Sequence, residues 1–410
     1  MKILMVNNRY APFGGAEALI RNMEVYLSAL GHQVDFFSTE CKNYYNNNYE
    51  FKNFFPKINN SSLNYIKHPF NYYYNKEALN SLSSLIDIIK PDVIHLHAIG
   101  EFTYSILHAC KDIPTVMTIH SVYMVFCPIL SMLKNGVMCK DCKKGNYLPC
   151  IKNRCANGKF GRTEASIRAA LRAYSSYYNF KNIDMFITPS DALRKNVLEY
   201  DCGIDERRIL TIPNFLSKEI YEITPNYENK KYFVYAGRLY KGKGIHILLQ
   251  ALNELPREIE MHIAGTGPDE EALKQYAKQN NLVNVKFLGQ KNREDLFDEY
   301  QNCIANIVPS IWFENFPTAN MESFINGKPV IASNIGGIPE QVEHNVNGLL
   351  FEPGNVQQLK EHIMTYWNNP QLAVEHGQNG YRKAKENYSE ESYYNKIIKV
   401  YEDVINEYAR

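Results

Sequence analysis

The chain repeats one local pattern in both of its halves: a short apolar run, a loop containing glycine, and then apolar residues at helical spacing. In the first half, residues 3–6 form the apolar run, Gly14 and Gly15 follow it, and apolar residues recur at intervals of three and four over Leu19–Leu30. The pattern restarts in the second half at residues 232–236. Apolar runs of this length that alternate with helices are typical of buried strands in parallel sheets. The alternation therefore predicts an α/β fold built from βαβ units.

Two domains are expected, because a chain of 410 residues is too long for one ordinary hydrophobic core. The boundary is predicted in the polar segment Pro213–Lys231, which lacks apolar periodicity. We assign residues 1–215, joined by a terminal helix at about 390–410, to an N-terminal domain and residues 216–389 to a C-terminal domain. Two doubly wound, Rossmann-like domains that face each other across a cleft are the simplest arrangement of these elements.

The composition argues against several functional classes. The formal net charge is +1, which gives no overall case for binding nucleic acid. No apolar stretch approaches the ~20 residues that a membrane-spanning helix needs. The apolar start at Met1–Val6 is too short for a signal peptide and lacks a cleavage site. We therefore expect a cytoplasmic protein.

Five of the nine cysteines lie close together in the first half of the chain. Cys139 and Cys142 form a Cys-x-x-Cys turn, and Cys150 and Cys155 complete a set of four that matches the closed ligand shell of structural zinc. We predict an insert in the N-terminal domain, at about 121–160, that is folded by a structural zinc ion. An iron–sulfur cluster is one alternative. Reduced thiols without a ligand are the other.

A basic, amphipathic stretch at residues 163–178 follows the cysteines. One of its faces is apolar and consists of Ile167, Ala170, Leu171 and Tyr174. Three arginines lie nearby, namely Arg162, Arg168 and Arg172. Such a stretch could contact the anionic inner face of a membrane or a lipid-linked ligand. A solvated basic helix that packs on its own domain is the alternative.

Two cations lie at the end of the first strand of the second half. Arg238 follows that strand, and Lys243 stands where the next helix begins. An arginine fork and a lysine point charge at this place suit the oxygens of a diphosphate. Solvated surface cations are the alternative. A nicotinamide cofactor is disfavoured, since Gly265 and Gly267 follow a strand but the third glycine of the dinucleotide pattern would fall on Glu270.

Two glutamates, Glu314 and Glu322, are separated by seven residues, and the stretch Pro309–Glu322 that contains them reads as strand end, loop and helix. Ligands of parallel sheets bind at the carboxyl ends of the strands, where loops and helix N-termini converge. A carboxylate in such a loop and another one or two helical turns later can both face the same crevice. Paired carboxylates there are suited to accept hydrogen bonds from a ligand that carries many hydroxyl groups and a diphosphate.

Taken together, these residues resemble the retaining GT-B glycosyltransferases of family 4, which use nucleotide-diphosphate sugars. The resemblance covers nearly the whole chain, and the fixed order of its elements makes it specific although each element alone is weak. The matching elements are Gly14–Glu17, Pro91–His97, His120, Pro189–Ser190, Pro213–Asn214, Gly237–Leu239, Lys243–Gly244, Gly265–Pro268 and the pair Glu314 and Glu322. The resemblance implies that the N-terminal domain lies on the acceptor side and that the C-terminal domain binds the donor.

The resemblance also implies a role for each matched residue. Arg238 and Lys243 would clamp the donor diphosphate, Glu322 would accept hydrogen bonds from the ribose, and Glu314 would lie beside the donor sugar. His120 would sit near that sugar from the opposite domain, and a hydrogen-bonded structural histidine is the alternative. The other expected donor-binding residues are Gly14, Gly15, Gly265, Gly289, Asn315, Phe316, Pro317 and Thr318. Of all these, His120, Arg238, Lys243 and Glu314 are the expected catalytic residues.

In the chemistry of that family, a phosphate oxygen of the donor takes the acceptor's proton on the same face, so the anomeric configuration is retained without an enzyme nucleophile. No Asp-x-Asp sequence occurs in the chain, so no catalytic metal cofactor is expected. Many relatives carry Phe-Gly after the first glutamate, whereas Asn315–Pro317 stands here, which leaves the donor sugar open. The expected reaction is sugar transfer to a glycan or polyprenyl-linked acceptor in cell-surface polysaccharide synthesis. A non-catalytic sugar-nucleotide sensor, an epimerase and a phosphorylase are the alternatives.

Overall fold

The structure, a computed structural model, describes residues 1–10, 15–39, 73–121, 133–134, 137–139, 141–156, 161–228 and 231–408. The chain divides into two compact units. Met1–Ile212 and Tyr394–Arg410 form the first unit, and Pro213–Tyr393 forms the second. These boundaries lie within a few residues of those expected from the sequence. Gly14 lies outside the described residues.

A six-stranded parallel sheet forms the centre of the first unit. The strands of this unit are β1 (Lys2–Arg9), β2 (Gln33–Thr39), β3 (Val93–Leu96), β4 (Thr115–Thr118), β5 (Leu133–Lys134), β6 (Val137–Met138), β7 (Met185–Thr188) and β8 (Ile209–Thr211). The sheet has the order β2-β1-β3-β4-β7-β8, and β5 pairs separately with β6 in antiparallel orientation. The strand order reverses between β1 and β3, which makes this the switch point of a doubly wound sheet.

The helices of the first unit include one with capping groups at both ends. They are α1 (Gly15–Ala29), α2 (Lys76–Ile89), α3 (Leu148–Lys152), α4 (Arg162–Asn179) and α5 (Asp191–Glu199). At the start of α2, Oδ1 of Asn75 accepts a hydrogen bond from the backbone N–H of Ala78 at 3.0 Å. At its end, Lys90 adopts the left-handed conformation, and its N–H donates to the carbonyl of Ile86 at 2.8 Å. A polar N-cap of this kind contributes about 1 kcal/mol.

The second unit contains another six-stranded sheet. Its strands are β9 (Tyr232–Ala236), β10 (Glu260–Ala264), β11 (Val285–Gly289), β12 (Asn306–Val308), β13 (Val330–Ser333) and β14 (Gly348–Phe351). Its helices are α6 (Lys218–Tyr221), α7 (Ile245–Asn253), α8 (Glu270–Gln279), α9 (Arg293–Asn302), α10 (Thr318–Ile325), α11 (Ile338–Gln341), α12 (Val356–Asn368) and α13 (Pro370–Asn387). The strands are parallel and lie in the order β11-β10-β9-β12-β13-β14, so the switch point falls between β9 and β12.

Helices cover both faces of this second sheet, as β13 illustrates. Val330 and Ala332 point to one face, where they belong to the same core as Phe324 of α10. Ile331 points to the other face and belongs to the core that contains Leu248 of α7. All five side chains are fully buried. A strand that is buried on both faces is predominantly apolar, and each buried Leu or Ile contributes roughly 1.5–3 kcal/mol.

The last helix, α14 (Glu390–Tyr408), begins among residues of the second unit and continues into the first. In the first unit, the ring of Tyr394 stacks on that of Tyr26 with a centroid distance of 4.0 Å. The hydroxyl of Tyr401 lies 2.6 Å from Nδ1 of His95 on β3. Tyr394 and Tyr401 are fully buried. The helix is therefore part of the core of the first unit, although its residues follow the second unit in the chain.

The predicted fold class is confirmed, because each unit is a doubly wound α/β domain with a parallel six-stranded sheet. The predicted cysteine-rich insert at 121–160 is described in part, and its described residues contain β5, β6 and α3. Among the residues that the structure describes, no helix is both long enough and apolar enough to cross a membrane.

Candidate functional site

The switch point of the second unit brings two of the predicted site segments together. β9 is followed by the loop that carries Arg238 and Lys243, and β12 is followed by the loop that carries Glu314. The two strands are neighbours in the sheet, but the chain leaves them in opposite directions, toward β10 and toward β13. Loops that diverge in this way leave a crevice at the carboxyl edge of a parallel sheet. The candidate site lies at this edge.

Two glycines allow the loops at this edge to approach each other closely. Gly244 has a φ of +72°, and a Cβ atom there would lie 1.7 Å from the carbonyl oxygen of Pro309. Gly336, which follows β13, has a φ of +61°, and a Cβ atom there would lie 2.0 Å from the carbonyl oxygen of Glu314. No side chain fits at these distances, and both backbone conformations favour glycine. The Glu314 loop is therefore held between the loops that follow β9 and β13.

The carboxylate of Glu314 accepts three hydrogen bonds on one oxygen. Nζ of Lys243 lies 2.7 Å from Oε1, Oγ of Ser310 lies 2.6 Å from it, and Nε1 of Trp312 lies 2.8 Å from it. Within the described parts of the chain, no donor reaches the second oxygen, Oε2. Lys243, a predicted clamp of the diphosphate, and Glu314, the predicted neighbour of the donor sugar, are thus in direct contact.

The surroundings of Glu314 keep it ionised. Burial by itself raises the pKa of this carboxyl group, but the Lys243 ammonium and the three hydrogen bonds outweigh burial, so that the pKa lies below its ordinary value of 4.5. Glu314 is 7% exposed. At neutral pH the site therefore contains a buried carboxylate whose charge is balanced by one lysine.

Ser310 and Trp312 were not among the residues predicted from the sequence. Both precede Glu314 in the loop after β12, and both donate to its Oε1 atom. The sequence offered two signals for them: the hydroxyl group of Ser310 stands four residues before Glu314, and the indole of Trp312 stands two residues before it. They become informative only when the loop conformation is known, because sequence spacing does not determine side-chain direction in an irregular loop.

Arg238 is exposed in the loop after β9. Its carbonyl oxygen accepts a hydrogen bond from the hydroxyl of Tyr235 at 3.0 Å, which anchors the backbone. The guanidinium group makes no hydrogen bond or ion pair with the residues that the structure describes. Arg238 can therefore use its planar fork of N–H donors for a ligand.

Glu322 lies on α10 and has different neighbours from Glu314. The side chain is half-buried. Burial raises the pKa of Glu322 above its ordinary value, and the Arg293 guanidinium and the Tyr300 hydroxyl oppose this rise only in part. A half-buried carboxylate that is incompletely compensated gains from additional hydrogen-bond donors such as ligand hydroxyl groups.

The loop between the two glutamates leads into α10. The side chain of Phe316 is buried in the core, with its ring edge-to-face against Tyr388 at a centroid distance of 5.7 Å. Pro317 precedes the first helical residue, Thr318, which is exposed. Phe316 thus anchors the loop in the core. Asn315, which is half-buried, Thr318 and the backbone N–H groups of the segment are the groups that can contact a ligand.

The two glycines predicted to approach the donor from other strands lie at the same edge of the sheet. Gly265 follows β10 and Gly289 ends β11, and the N–H of Gly265 donates to the carbonyl of Gly289 at 2.7 Å. Gly15, predicted in the first unit, is the first residue of α1. The N–H group of Gly265 is thus engaged within the protein, whereas Gly15 stands at a helix start, where backbone N–H groups lack intrahelical partners and can meet a ligand.

His120 follows β4 in the first unit and belongs to a row of histidines. Its Nε2 atom lies 3.0 Å from Nδ1 of His97, and the ring of His97 lies 4.2 Å from that of His95. Burial lowers the pKa of His120 to about 4, and burial together with His120 lowers the pKa of His95 to about 3. All three imidazoles are therefore neutral at neutral pH, and His95 and His97 are fully buried.

The four cysteines of the predicted zinc site lie in one region of the first unit. Burial raises the pKa of the Cys142 thiol to about 11, a hydrogen bond from the Cys150 backbone opposes this rise, and the nearby Cys139 and Cys155 thiols add to it. None of the four forms a disulfide bond within the described parts of the chain. Among the described residues, no three His, Cys, Asp or Glu side chains are arranged to hold a metal ion. Structural zinc stays a prediction.

Two family models match the chain in succession. The model described as Glycosyltransferase Family 4 matches residues 13–219, which is half of the chain. The model described as Glycosyl transferases group 1 matches residues 217–383. The second match contains Arg238, Lys243, Glu314 and Glu322.

Several curated proteins are similar in sequence. Two uncharacterised glycosyltransferases of Methanocaldococcus jannaschii are 30% and 25% identical, and the matches cover 56% and 98% of this chain and 63% and 98% of those proteins. The O-antigen chain mannosyltransferase C of Escherichia coli is 29% identical over 42% of this chain and 46% of that protein. The matches to the first and the third of these relatives thus span less than two thirds of their length.

Solved structures show the same fold at low sequence identity. Sucrose-phosphate synthase from Thermosynechococcus elongatus has a TM-score of 0.72 at 18% identity, with 99% of both chains covered. Anabaena HepE in complex with UDP and glucose has a TM-score of 0.64 at 19% identity, with 97% of this chain and 98% of that chain covered. At this identity the likeness establishes the GT-B fold.

Proposed function

This chain belongs to glycosyltransferase family 4, and from that premise we propose that it moves a sugar from a nucleoside-diphosphate sugar to a glycan or lipid-linked acceptor with retention of configuration. The observation that carries the proposal is the cluster at the switch point of the second unit. There Lys243 and Glu314 lie 2.7 Å apart at the carboxyl edge of the sheet. Such an edge is where α/β domains bind ligands.

The charges of this cluster suit a diphosphate. Arg238 is exposed and free of carboxylate partners among the described residues, and Lys243 makes one ion pair. The N-terminus of α10 adds backbone N–H groups and the positive end of a helix dipole. HepE, a protein of the same fold, binds UDP and glucose, which supports a nucleoside-diphosphate sugar as the donor. In this proposal Glu322 accepts hydrogen bonds from the ribose.

The proposed reaction breaks the bond between the anomeric carbon and the diphosphate oxygen and forms a bond from that carbon to the acceptor oxygen. The acceptor's proton passes to a phosphate oxygen of the leaving diphosphate, on the same face of the sugar. Negative charge grows on the diphosphate as the bond breaks, and Arg238 and Lys243 stabilise it there. This scheme needs no enzyme nucleophile, because the acceptor oxygen itself attacks the anomeric carbon, and Glu314 serves as a hydrogen-bonding group whose charge is balanced by Lys243.

His120 enters the proposal as a neutral hydrogen-bonding group for the donor sugar. Its pKa, lowered to about 4 by burial, leaves it uncharged at neutral pH. An uncharged imidazole can orient a sugar hydroxyl without adding positive charge beside a developing oxocarbenium centre.

The acceptor is proposed to be a growing glycan or a polyprenyl-linked sugar at the cytoplasmic face of a membrane. The name of the Escherichia coli relative, an O-antigen chain mannosyltransferase, supports a role in cell-surface polysaccharide synthesis. On α4, a stripe of side chains is between 41% and 50% exposed: Ile167, Leu171, Tyr174 and Tyr178. Ala170, expected on the same face, is buried, so the stripe is narrower than predicted and reaches Tyr178. Its spacing matches one face of a helix that lies on a lipid surface.

The first experiment identifies the donor. Thermal unfolding is followed with UDP-, GDP- and ADP-linked sugars, since a ligand present at 100 times its Kd stabilises the folded state by about 2.7 kcal/mol. A control variant, Lys360→Met, removes a lysine that pairs with exposed Glu254 at 2.6 Å, away from the site, and should retain the ligand response. Absence of stabilisation by every nucleotide sugar refutes the proposal.

The second experiment tests the reaction. The protein is incubated with the stabilising donor and lipid-linked oligosaccharide acceptors, and the anomeric configuration of the product is read by NMR. A product with the donor's configuration agrees with the proposal, and an inverted product contradicts retention. Binding without turnover on any acceptor is the outcome expected of a sugar-nucleotide sensor.

A further inference from the structure

Trp312 packs flat against the loop that follows β9. Its backbone N–H donates to the carbonyl of Gly242 at 3.3 Å, and a Cβ atom at Gly242 would lie 2.9 Å from the indole ring. On another side, the ring of Tyr240 lies at a centroid distance of 5.5 Å. The position of the indole is therefore set by Gly242 and Tyr240 and not by the ion pair alone.

The same indole contacts both members of that ion pair. Its edge donates from Nε1 to Oε1 of Glu314 at 2.8 Å. Its face lies under the Lys243 ammonium, with Nζ 5.1 Å from the ring centroid. The indole N–H is a donor only, so it can stabilise the carboxylate but cannot accept its proton. A cation over the face of a tryptophan is held electrostatically by the ring.

The result is an asymmetric carboxylate. Lys243, Ser310 and Trp312 all donate to Oε1 of Glu314, and a carboxylate oxygen has about two lone-pair sites. In the part of the chain that the structure describes, Oε2 has no donor. The side chain of Glu314 is 9% exposed. Oε2 is therefore the oxygen that can accept a hydrogen bond from a ligand. Because both oxygens belong to one planar carboxylate, the donors that hold Oε1 also set the direction in which Oε2 points.

We propose that Trp312 is a positioning residue, which orients Glu314 so that Oε2 meets a hydroxyl group of the transferred sugar and which keeps Lys243 beside the diphosphate. This inference rests on the proposed function. It deepens that function because it assigns an indirect role in recognising the sugar to Trp312. In this inference Trp312 contacts neither the sugar nor the nucleoside diphosphate and acts through Glu314. Holding a reactive group in place through a neighbour in this way is a general requirement of precise sites.

A merely structural role for Trp312 predicts different behaviour. If the indole only filled space between the two loops, its replacement would disturb the whole edge of the sheet, and nucleoside diphosphate and nucleotide sugar would lose affinity together. If the aromatic face under Lys243 is kept and only the Nε1 donor is removed, a positioning role affects the nucleotide sugar alone, because in this proposal Glu314 meets only the sugar. The two roles are therefore separated by comparing two ligands on the same variant.

The test uses Trp312→Phe, which keeps an aromatic face for Lys243 and removes the N–H donor. The chain has two tryptophans, and the other supplies a matched control, Trp367→Phe on α12, whose ring also lies under a lysine, with Nζ of Lys231 at 5.9 Å. Binding of UDP, GDP, UDP-glucose, UDP-N-acetylglucosamine and GDP-mannose is measured by calorimetry. For the nucleotide sugar that wild type binds, Trp312→Phe should weaken affinity by about tenfold to a hundredfold, the loss expected for a hydrogen bond to a charged group.

In the same variant, affinity for the matching nucleoside diphosphate should change by less than about twofold, and the acid limb of kcat/KM should move to higher pH because Glu314 has lost a donor. Ser310→Ala is the second variant, which removes another donor to Oε1 without altering the ring packing, and it should show the same split between ligands. Trp367→Phe should behave as wild type.

Three outcomes overturn the inference. One is unchanged affinity of Trp312→Phe and Ser310→Ala for the nucleotide sugar. Another is an equal loss of affinity for the nucleotide sugar and the nucleoside diphosphate. The third is wild-type protein that binds none of the nucleotide sugars, which refutes the proposed function as well and is thereby distinguished from the first two.

Discussion

Replacement of Lys243 by methionine removes an ammonium group from the site and keeps a side chain of similar length. The side chains of Lys243 and Glu314 are 24% and 9% exposed, and Nζ lies 2.7 Å from Oε1. At this separation the attraction between two unit charges is about 6 kcal/mol at an effective dielectric constant of about 20. Much of that attraction offsets the desolvation of the two groups. We expect the variant to lose about 2–4 kcal/mol of unfolding free energy, because it leaves a buried carboxylate without its counter-ion.

The effect on catalysis should be about as large in free energy as the effect on stability. Negative charge on the diphosphate grows during bond breaking, so a cation placed beside it stabilises the transition state more than the bound donor. We expect kcat to fall by about 10²–10³-fold, the size seen when one preorganised electrostatic group is removed, and the KM for the donor to rise. Urea unfolding gives the stability, and steady-state kinetics with the identified donor give the two constants.

The dependence of folding stability on pH has a definite sign. Because the pKa of Glu314 in the folded protein lies below its ordinary value of 4.5, the stability that this group contributes is present above the pKa of the unfolded chain. That stability is lost as the pH falls through the lower pKa of the folded protein. In Lys243→Met the main group that holds this pKa down is missing, so the pKa of Glu314 moves up toward that of the unfolded chain. The loss of stability on acidification that Glu314 causes should therefore be smaller in this variant than in wild type.

Lys360→Met is the matched control, since it breaks a lysine–glutamate pair of 2.6 Å in which Glu254 is 58% exposed. An exposed pair of this kind contributes less than about 1 kcal/mol, and the kinetics should not change. Wild-type kinetics in Lys243→Met would remove Lys243 from the site. An equally small loss of stability in both lysine variants would show that the Lys243–Glu314 pair is an ordinary surface ion pair.

Three further predictions concern other parts of the chain. Gly244→Ala should lose more than about 2 kcal/mol of unfolding free energy, measured in urea, because its φ is +72° and the new Cβ would lie 1.7 Å from the Pro309 carbonyl oxygen. Gly354→Ala is the control, since its φ is +81° but the space around it is open, and it should lose only about 1 kcal/mol. Glu322→Gln should weaken ribonucleotide binding but stabilise the protein at pH 7. Burial raises the pKa of Glu322, so ionisation of this group costs stability as the pH rises above 4.5. Urea unfolding should therefore show a gain in stability at pH 7 and none at pH 4. Elemental analysis of purified protein should find about one zinc ion per chain, lost in Cys142→Ser, and sub-stoichiometric zinc and iron would refute the metal site.

The fold could be predicted from the sequence because its determinants are local. The buried strand Val330–Ser333 begins with three apolar residues and ends in a serine, and Asn75 marks the start of α2 because its side chain accepts a hydrogen bond from the N–H of Ala78. The order of the strands in each sheet could not be read from these runs. It depends on which strands pair over long separations in sequence, as β9 does with β12. The position of the switch point therefore emerged only from the structure.

The residues of the candidate site could be proposed from the sequence, but the contacts between them could not. Arg238, Lys243 and Glu314 stand out in the sequence because charged residues at strand ends are unusual enough to suggest a ligand. The contact between Lys243 and Glu314, by contrast, depends on the close approach of two loops at Gly244. The donation from Trp312 depends on a rotamer within an irregular segment. Neither depends on a periodic pattern, so neither could be foreseen.

The path of α14 has a consequence for the order of folding during synthesis. The first unit is interrupted in the chain by the second, which occupies Pro213–Tyr393. Tyr401 and Val404, which are buried in the first unit, leave the ribosome only after the whole of the second unit. Until then His95 lacks the hydroxyl that meets its Nδ1 atom. The unit that is translated first is therefore completed last, and a nascent chain that ends before Tyr394 exposes an unfinished core.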